Sequence, residues 1–301
     1  MRHIVTALIL AFPLLVSAQE SVSKADQLLK NGKLKEAIPV YDSLYKADPT
    51  NRGNTYNYAC AYALMGNRDS AFHYLNIATA SDSMAQPLND PDFYFLLEDD
   101  RWADFEDKMI VKIAAKHAPY SNPALTKELW RMKIKDQAFY YHLEIANSEN
   151  GMSSPIIRAL WELKRQINDD NLKRIEEIIA EFGWPKQSAV GGSASQAVFL
   201  IIQHADLATQ KKYLPVMKEA ANNKEASWSS LALLIDRIEM REDRPQIYGS
   251  QISRNSEGAY TVFEMIEPEY VNQRRKEVGL PPIEDYVKNW NIVWEVEQKE
   301  K

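Results

Sequence analysis

The stretch Asn31-Gly32-Lys33-Leu34-Lys35-Glu36-Ala37-Ile38 decides the reading of the first third of this chain. It joins Gly32 to an apolar-containing segment that holds the small residue Ala37. The pattern returns 34 positions later: Ala25 aligns with Ala59, Leu28 with Tyr62, Gly32 with Gly66, Ala37 with Ala71, and Tyr41 with Leu75. Asp48-Pro49 closes the first unit. A fixed 34-residue period is the sequence signature of a stacked repeat architecture.

These residues, over 18–85, resemble the tetratricopeptide repeat, in which small side chains let two antiparallel helices approach. The next period is degenerate, because Phe105 replaces the small residue equivalent to Ala71. Asp92 to Ala115, with Phe93, Leu96, Leu97, Trp102, Phe105 and Met109 as its apolar face, is therefore expected to be a capping pair. The resemblance implies a concave groove for an extended peptide, lined by the first helix of each repeat. On the second repeat those positions are Tyr56, Cys60, Ala63 and Leu64. None is charged, so a Lys or Arg clamp on a peptide carboxylate is not implied. The alternative is that so short a stack is only a scaffold for the second domain.

The N-terminus carries a different signal. Met1-Arg2-His3 precedes an apolar run from Ile4 to Val16, and Val16-Ser17-Ala18 places small residues before Gln19. This is the pattern of a secretory leader cleaved after Ala18, and the run is shorter than the ~20 apolar residues that span a bilayer. It predicts a periplasmic or secreted protein, not membrane-embedded once the leader is gone. Cys60 is the one cysteine, so no internal disulfide can form, and a small buried residue is the expectation for it. The formal charge is −6, one unit more negative without Arg2. An acidic, unpatterned balance argues against nucleic acid as a partner.

His117-Ala118-Pro119-Tyr120-Ser121-Asn122-Pro123 breaks the helical pattern. The sequence thus divides into a leader (1–18), helical repeats with a degenerate cap (19–118) and a second domain (119–301). Asn122 caps a helix with Pro123 at its first position. Another helix carries Leu160, Leu163 and Ile167, and a separate one capped at Asp169 or Asp170 carries Leu172, Ile175, Ile178, Ile179 and Phe182. Gly183 and Pro185 stop it. Ser193 caps the apolar helix ending at His204, Thr209 the next, and Ser227 the helix with Leu231, Ile235 and Ile238. The β-rich texture of Gln246 to Ile252 and Ala259 to Phe263, joined by Arg254-Asn255-Ser256-Glu257-Gly258, predicts a β-hairpin near 246–263. The fold expected is mainly α: a short repeat stack, then a helical domain with one hairpin.

Five blocks of that domain form an ordered set: Gly183-Trp184-Pro185, Gln203-His204-Ala205-Asp206, Asp236-Arg237, Gln246-Ile247-Tyr248-Gly249-Ser250-Gln251, and Arg274-Arg275 through Gly279-Leu280. They resemble a bacterial domain family of unknown function over roughly 125–290. The resemblance implies that these residues belong together and implies no activity.

Polar groups set among aliphatic runs mark either a hydrogen-bond network or a site. Read as a site, His204 is the general acid or base, oriented by Asp236, with Ser250 as a nucleophile if the imidazole reaches it. Arg237 would hold a carboxylate or phosphate, while Gln203, Gln246 and Gln251 read amides or hydroxyls and Tyr248-Gly249 lets backbone approach a ligand. Read as structure, His204 is a satisfied core histidine, Asp236-Arg237 pair with each other's neighbours, and Gln246 and Gln251 pin the hairpin to the helices. Gly191-Gly192-Ser193 before a helix can cradle an anion but lacks the lysine of a P-loop, so a plain cap is preferred. No metal-ligand spacing surrounds His204, and no cofactor is implied. The function expected is an exported module that binds a protein or peptide through the repeats and a small polar ligand in the second domain. The alternative is a hydrolase of cell-envelope peptide or glycan with His204 as acid–base.

Overall fold

Short polar turns and well-placed caps cut the chain into helices. The computed structural model describes Val22, residues 24–254 and residues 259–300; the leader expected at 1–18 lies outside them. The first helices are α1 (24–30), α2 (Leu34–Ala47), α3 (Arg52–Leu64), α4 (Arg68–Ala78) and α5 (Arg101–Ala114), with 3-10 turns at Gln86–Asn89 and Pro91–Leu96 before α5. Then come α6 (Pro123–Gln137), α7 (Tyr140–Asn150), α8 (Pro155–Phe182), α9 (Gln187–Val190) and α10 (Gly192–His204). The remainder is α11 (Leu207–Asn222), α12 (Trp228–Arg241), strands β1 (Ile252–Arg254) and β2 (Tyr260–Val262), α13 (Val271–Glu277) and α14 (Ile283–Val287). The mainly α expectation with one small hairpin holds. No helix among the described residues is long and apolar enough to cross a membrane.

The chain forms two compact units. One comprises the described residues of Met1–Pro119 with Gln137–Arg165, the other Tyr120–Asp136 with Gln166–Lys301. In the first unit Gly32 and Gly66 take the left-handed backbone that ends α1 and α3, a conformation that favours glycine. Asn51 and Asn67 cap α3 and α4 through Asn54 and Ser70 amides. Ala25, Ala37, Ala59 and Ala71 are fully buried, as close helix crossings require. Tyrosines fill the wider gaps: Tyr58 lies 4.2 Å from Tyr74 and 6.0 Å from Tyr41 between ring centroids. The expected cap is a 3-10 turn followed by α5, and it buries Phe93, Leu96, Trp102, Phe105 and Met109. Leu97 is only half-buried.

In the second unit Asn122 caps α6 on the Leu125 amide, and Gly183, with φ of 71°, ends α8. Three local expectations change. The helices expected on either side of Asp169-Asp170 are one continuous helix, α8, because two aspartates cost a helix interior only about half a kcal/mol each. Ser193 does not cap α10; Gly191 is the N-cap and contributes no side chain. Asp206, not Thr209, caps α11, accepting the Thr209 amide at 2.7 Å. The hairpin is shorter than its composition suggests, pairing Ile252 with Val262 and Arg254 with Tyr260, and residues 255–258 of its turn lie outside those described.

Phe93 is wholly enclosed, edge-on to Tyr56 at 5.6 Å and beside Trp102 at 6.1 Å. Phe93→Ala should destabilise the first unit by about 3–5 kcal/mol through the cavity it leaves. Val111→Ala, at a 69% exposed position on α5, should change stability by less than about 0.5 kcal/mol. Urea titrations of the two variants check this, and equal losses would overturn the packing account.

Candidate functional site

Asp236 sits in the middle of α12 with no exposed surface. Its carboxylate is matched by the backbone of 247–250: Oδ1 accepts the amides of Ile247 at 2.8 Å and Tyr248 at 2.9 Å, and Oδ2 accepts Ser250 N–H at 2.9 Å. Burial pushes the Asp236 pKa up, and these three amide bonds oppose the rise. The carbonyls of the same loop are also taken. Arg274 Nε donates to Ile247 O at 2.8 Å, Arg275 Nη1 to Tyr248 O at 2.6 Å, and Tyr286 O–H to Ser250 O at 2.8 Å. Gly249 completes the turn at φ of 69°, where a Cβ would lie 2.8 Å from Met265 and 2.9 Å from Ile283.

The glutamines close the network. Gln246 Nε2 donates to Phe263 O at 2.8 Å, and its Oε1 accepts the Gln251 amide at 2.8 Å. Gln251 Nε2 donates to Ser250 Oγ at 2.9 Å. Gln203 Nε2 reaches Leu233 O at 3.4 Å, and Gln210 Nε2 donates to Gln203 O at 2.8 Å. Gln203, Gln246, Ser250 and Gln251 are all buried, whereas Arg237 and Tyr248 are half-buried. Gln246 thus ties the loop to Phe263 just past β2, and Gln251 Nε2 reaches Leu233 O of α12 at 3.5 Å.

His204 does not have the partner expected from sequence. Its Nδ1 lies 2.9 Å from Oδ1 of Asp136 on α6, a carboxylate with no exposed surface. Asp236 accepts the 247–250 amides, and Ser250 Oγ accepts Gln251 Nε2. Asp136 is 68 residues away from His204, beyond the reach of local pattern. The pairing orients the imidazole with Nδ1–H toward the carboxylate. The His204 side chain is 22% exposed. This partly open imidazole on a buried carboxylate can bind a polar group or move a proton.

In the first unit the expected groove positions are covered by the chain itself. Cys60 and Ala63 are buried, Tyr56 and Leu64 half-buried. Pro91–Leu96 packs on α3, where Tyr56 O–H donates to Asp90 Oδ2 at 2.7 Å and meets the Phe93 ring. At Tyr56 and Cys60 the expected peptide groove is therefore filled by an intramolecular contact. The cause is apolar: Phe93 and Leu96 need cover, and the small residues of α3 leave room for it. One thiol and two carboxylates meet there, with ligand-type atoms of Cys60, Asp90 and Asp92 within 4.8 Å of one another. Burial pushes the Cys60 thiol up. Burial, then the Asp90 charge, raises Asp92 to about 6.

The second unit is thus a helical domain whose buried polar groups clamp one loop, and it also holds a histidine–carboxylate pair. Residues 123–299 match a family of unknown function, DUF6624, and the chain belongs to it. Comparison with curated proteins and with solved structures finds no match.

The Asp92 shift carries a pH signature. Its carboxyl holds a proton to higher pH when folded than its ordinary 3.8. The stability this contributes is fully present below about pH 4 and is lost as pH rises through about 6, on the order of 2–3 kcal/mol in all. Asp92→Asn should remove that decline, so its stability relative to wild type should grow between pH 4 and pH 7. Parallel pH-dependent denaturation curves for the two proteins would contradict the assignment.

Proposed function

We propose that this chain is an exported binding protein in which tetratricopeptide-like hairpins scaffold a surface that docks an apolar peptide segment. Export rests on the leader pattern of Met1 to Ala18, and the repeat assignment on the 34-residue period with buried alanines at its crossings. The observation that carries the binding reading is a cavity of about 220 Å3 on α7 and α8, within the first unit. Tyr140, Leu143, Met152, Ile157 and Trp161 line it, with Glu144 and Asn147 at its polar edge. Met152 is 70% exposed and Trp161 49%, and Tyr141 and Ile156 add exposed apolar surface nearby.

Large aromatic and thioether side chains left open to water cost hydration free energy unless a partner covers them. Tryptophan, tyrosine and methionine are also the side chains that anchor and adapt to apolar peptide residues. Glu144 favours a basic or amide group beside the anchor. A peptide array of apolar residues flanked by Lys or Arg tests the reading. Trp161→Ala should weaken the bound peptides by about tenfold or more, as for an interface hot spot, with little change in melting temperature. Equal binding by wild type and variant would remove the groove as the site.

The rival reading is a hydrolase of envelope peptide or glycan, favoured by the 2.9 Å His204–Asp136 contact. Asp136 takes the orienting role assigned from sequence to Asp236. His204→Ala should then abolish turnover of envelope fragments while leaving the melting temperature within a few degrees. Absence of turnover in wild type, with a large loss of stability in the variant, would leave His204 a structural residue.

A further inference from the structure

We propose that a chain of aromatic rings on the first unit, from Phe95 through Tyr94, Phe139 and His142 to Tyr141, docks a basic, proline-rich segment of a partner protein. Successive rings lie 5.4, 4.8, 6.3 and 6.0 Å apart between centroids. They come from the 3-10 turn Pro91–Leu96 and from the first turn of α7 with the residue before it, both within the first unit. Phe95 and Tyr141 are each 40% exposed, and Tyr94, Phe139 and His142 are half-buried. Neighbouring ring planes are inclined by 59° to 88°, so the surface is ridged rather than flat. None of these five rings lines the α7–α8 groove, and the proposal does not depend on that groove.

The backbone at Phe139 is a separate sign that the rings are held in place. Its φ of 71° is a left-handed conformation that bulky side chains rarely adopt. Its ring lies against Tyr94 and 6.2 Å from Phe95. Strain of this kind persists where the surroundings fix it, and it clusters at ligand clamps.

Charge indicates what covers the patch. Residues 88–100 hold five acids and residues 138–150 two, and neither stretch has a lysine or arginine. Burial, then the Glu98 charge, pushes the Tyr94 phenol up, and burial, then Asp92 and Glu144, does the same at Tyr141. Carboxylates therefore stand near both ends of the ring chain. Burial pushes the His142 pKa down, so its imidazole adds no positive charge at neutral pH. Asp99 is taken by Arg101, and Lys164, over the Tyr140 ring, is 1% exposed. A cation brought by a partner meets carboxylates and aromatic faces together. The Tyr94 and Tyr141 hydroxyls have no hydrogen-bond partner among the described residues, which leaves two donors beside the rings. A polyproline II segment has carbonyls with no internal partner and docks on aromatic-lined surfaces, so it matches both features.

Fluorescence anisotropy of the full chain with three labelled peptides tests this: an Arg-Pro-Pro repeat, a Glu-Pro-Pro repeat and an Arg-Ala-Ala repeat. The Arg-Pro-Pro peptide should bind about tenfold or more tightly than either of the others. Phe95→Ser should weaken it about tenfold or more, and Glu98→Lys about threefold or more, with the melting temperature retained. Tyr141→Phe removes one hydroxyl and keeps the ring, so it should cost about threefold even if the Phe95 variant is unstable. Trp161→Ala should leave this binding unchanged, which separates the patch from the α7–α8 groove. Equally tight binding of either control peptide, no binding of Arg-Pro-Pro, unchanged binding in the Phe95 or Tyr141 variant, or weakening by Trp161→Ala would each overturn the proposal.

Discussion

A carboxylate buried inside an apolar helix is the constraint around which the second unit is built. An unpaired charge at Asp236 would cost several kcal/mol, so the chain must bring donors to it. It does so with backbone amides from 247–250, each a charge-assisted hydrogen bond of about 1.5–3 kcal/mol. The loop then has carbonyls to satisfy, and Arg274, Arg275 and Tyr286 meet them. Those side chains come from 271–290, so one buried charge links α12, the loop and the C-terminal helices. Arg275 is itself fully buried, stacked 4.8 Å from the Tyr286 ring centroid.

This arrangement separates groups that look alike in the sequence. Asp236, Ser250, Gln246 and Gln251 have chemistry-bearing side chains, yet their donors and acceptors face one another. His204 differs because it retains exposed surface while its other side meets Asp136. The first unit obeys a similar logic with apolar groups. The segment Pro91–Leu96 packs on α3 with Phe93 edge-on to Tyr56, and two aspartates come to rest beside Cys60.

Helix positions were readable where a local rule governs them. The Gly32 and Gly66 turns, the Asn122 and Ser227 caps and the Gly183 stop all depend on neighbours within four residues. Alanine periodicity likewise located the helix crossings of α1–α4. Long-range pairings were not readable. Asp136 and His204 lie on α6 and α10, and no spacing rule links them. Residues 246–251 have strand composition, but Asp236 bends their backbone around its carboxylate and shortens the hairpin. Aspartates at 169 and 170 suggested a break, although a continuous apolar face through Ile167, Ile175 and Ile178 outweighs their weak helix propensity.

Amide hydrogen exchange over 246–251, in wild type and Asp236→Ala, tests this account most directly. If the buried carboxylate organises the loop, the Ile247, Tyr248 and Ser250 amides are strongly protected in wild type. They should become fast-exchanging in the variant while the central amides of α10 remain protected. Unchanged protection at those three amides would contradict the central claim, because the loop would then hold its shape without Asp236.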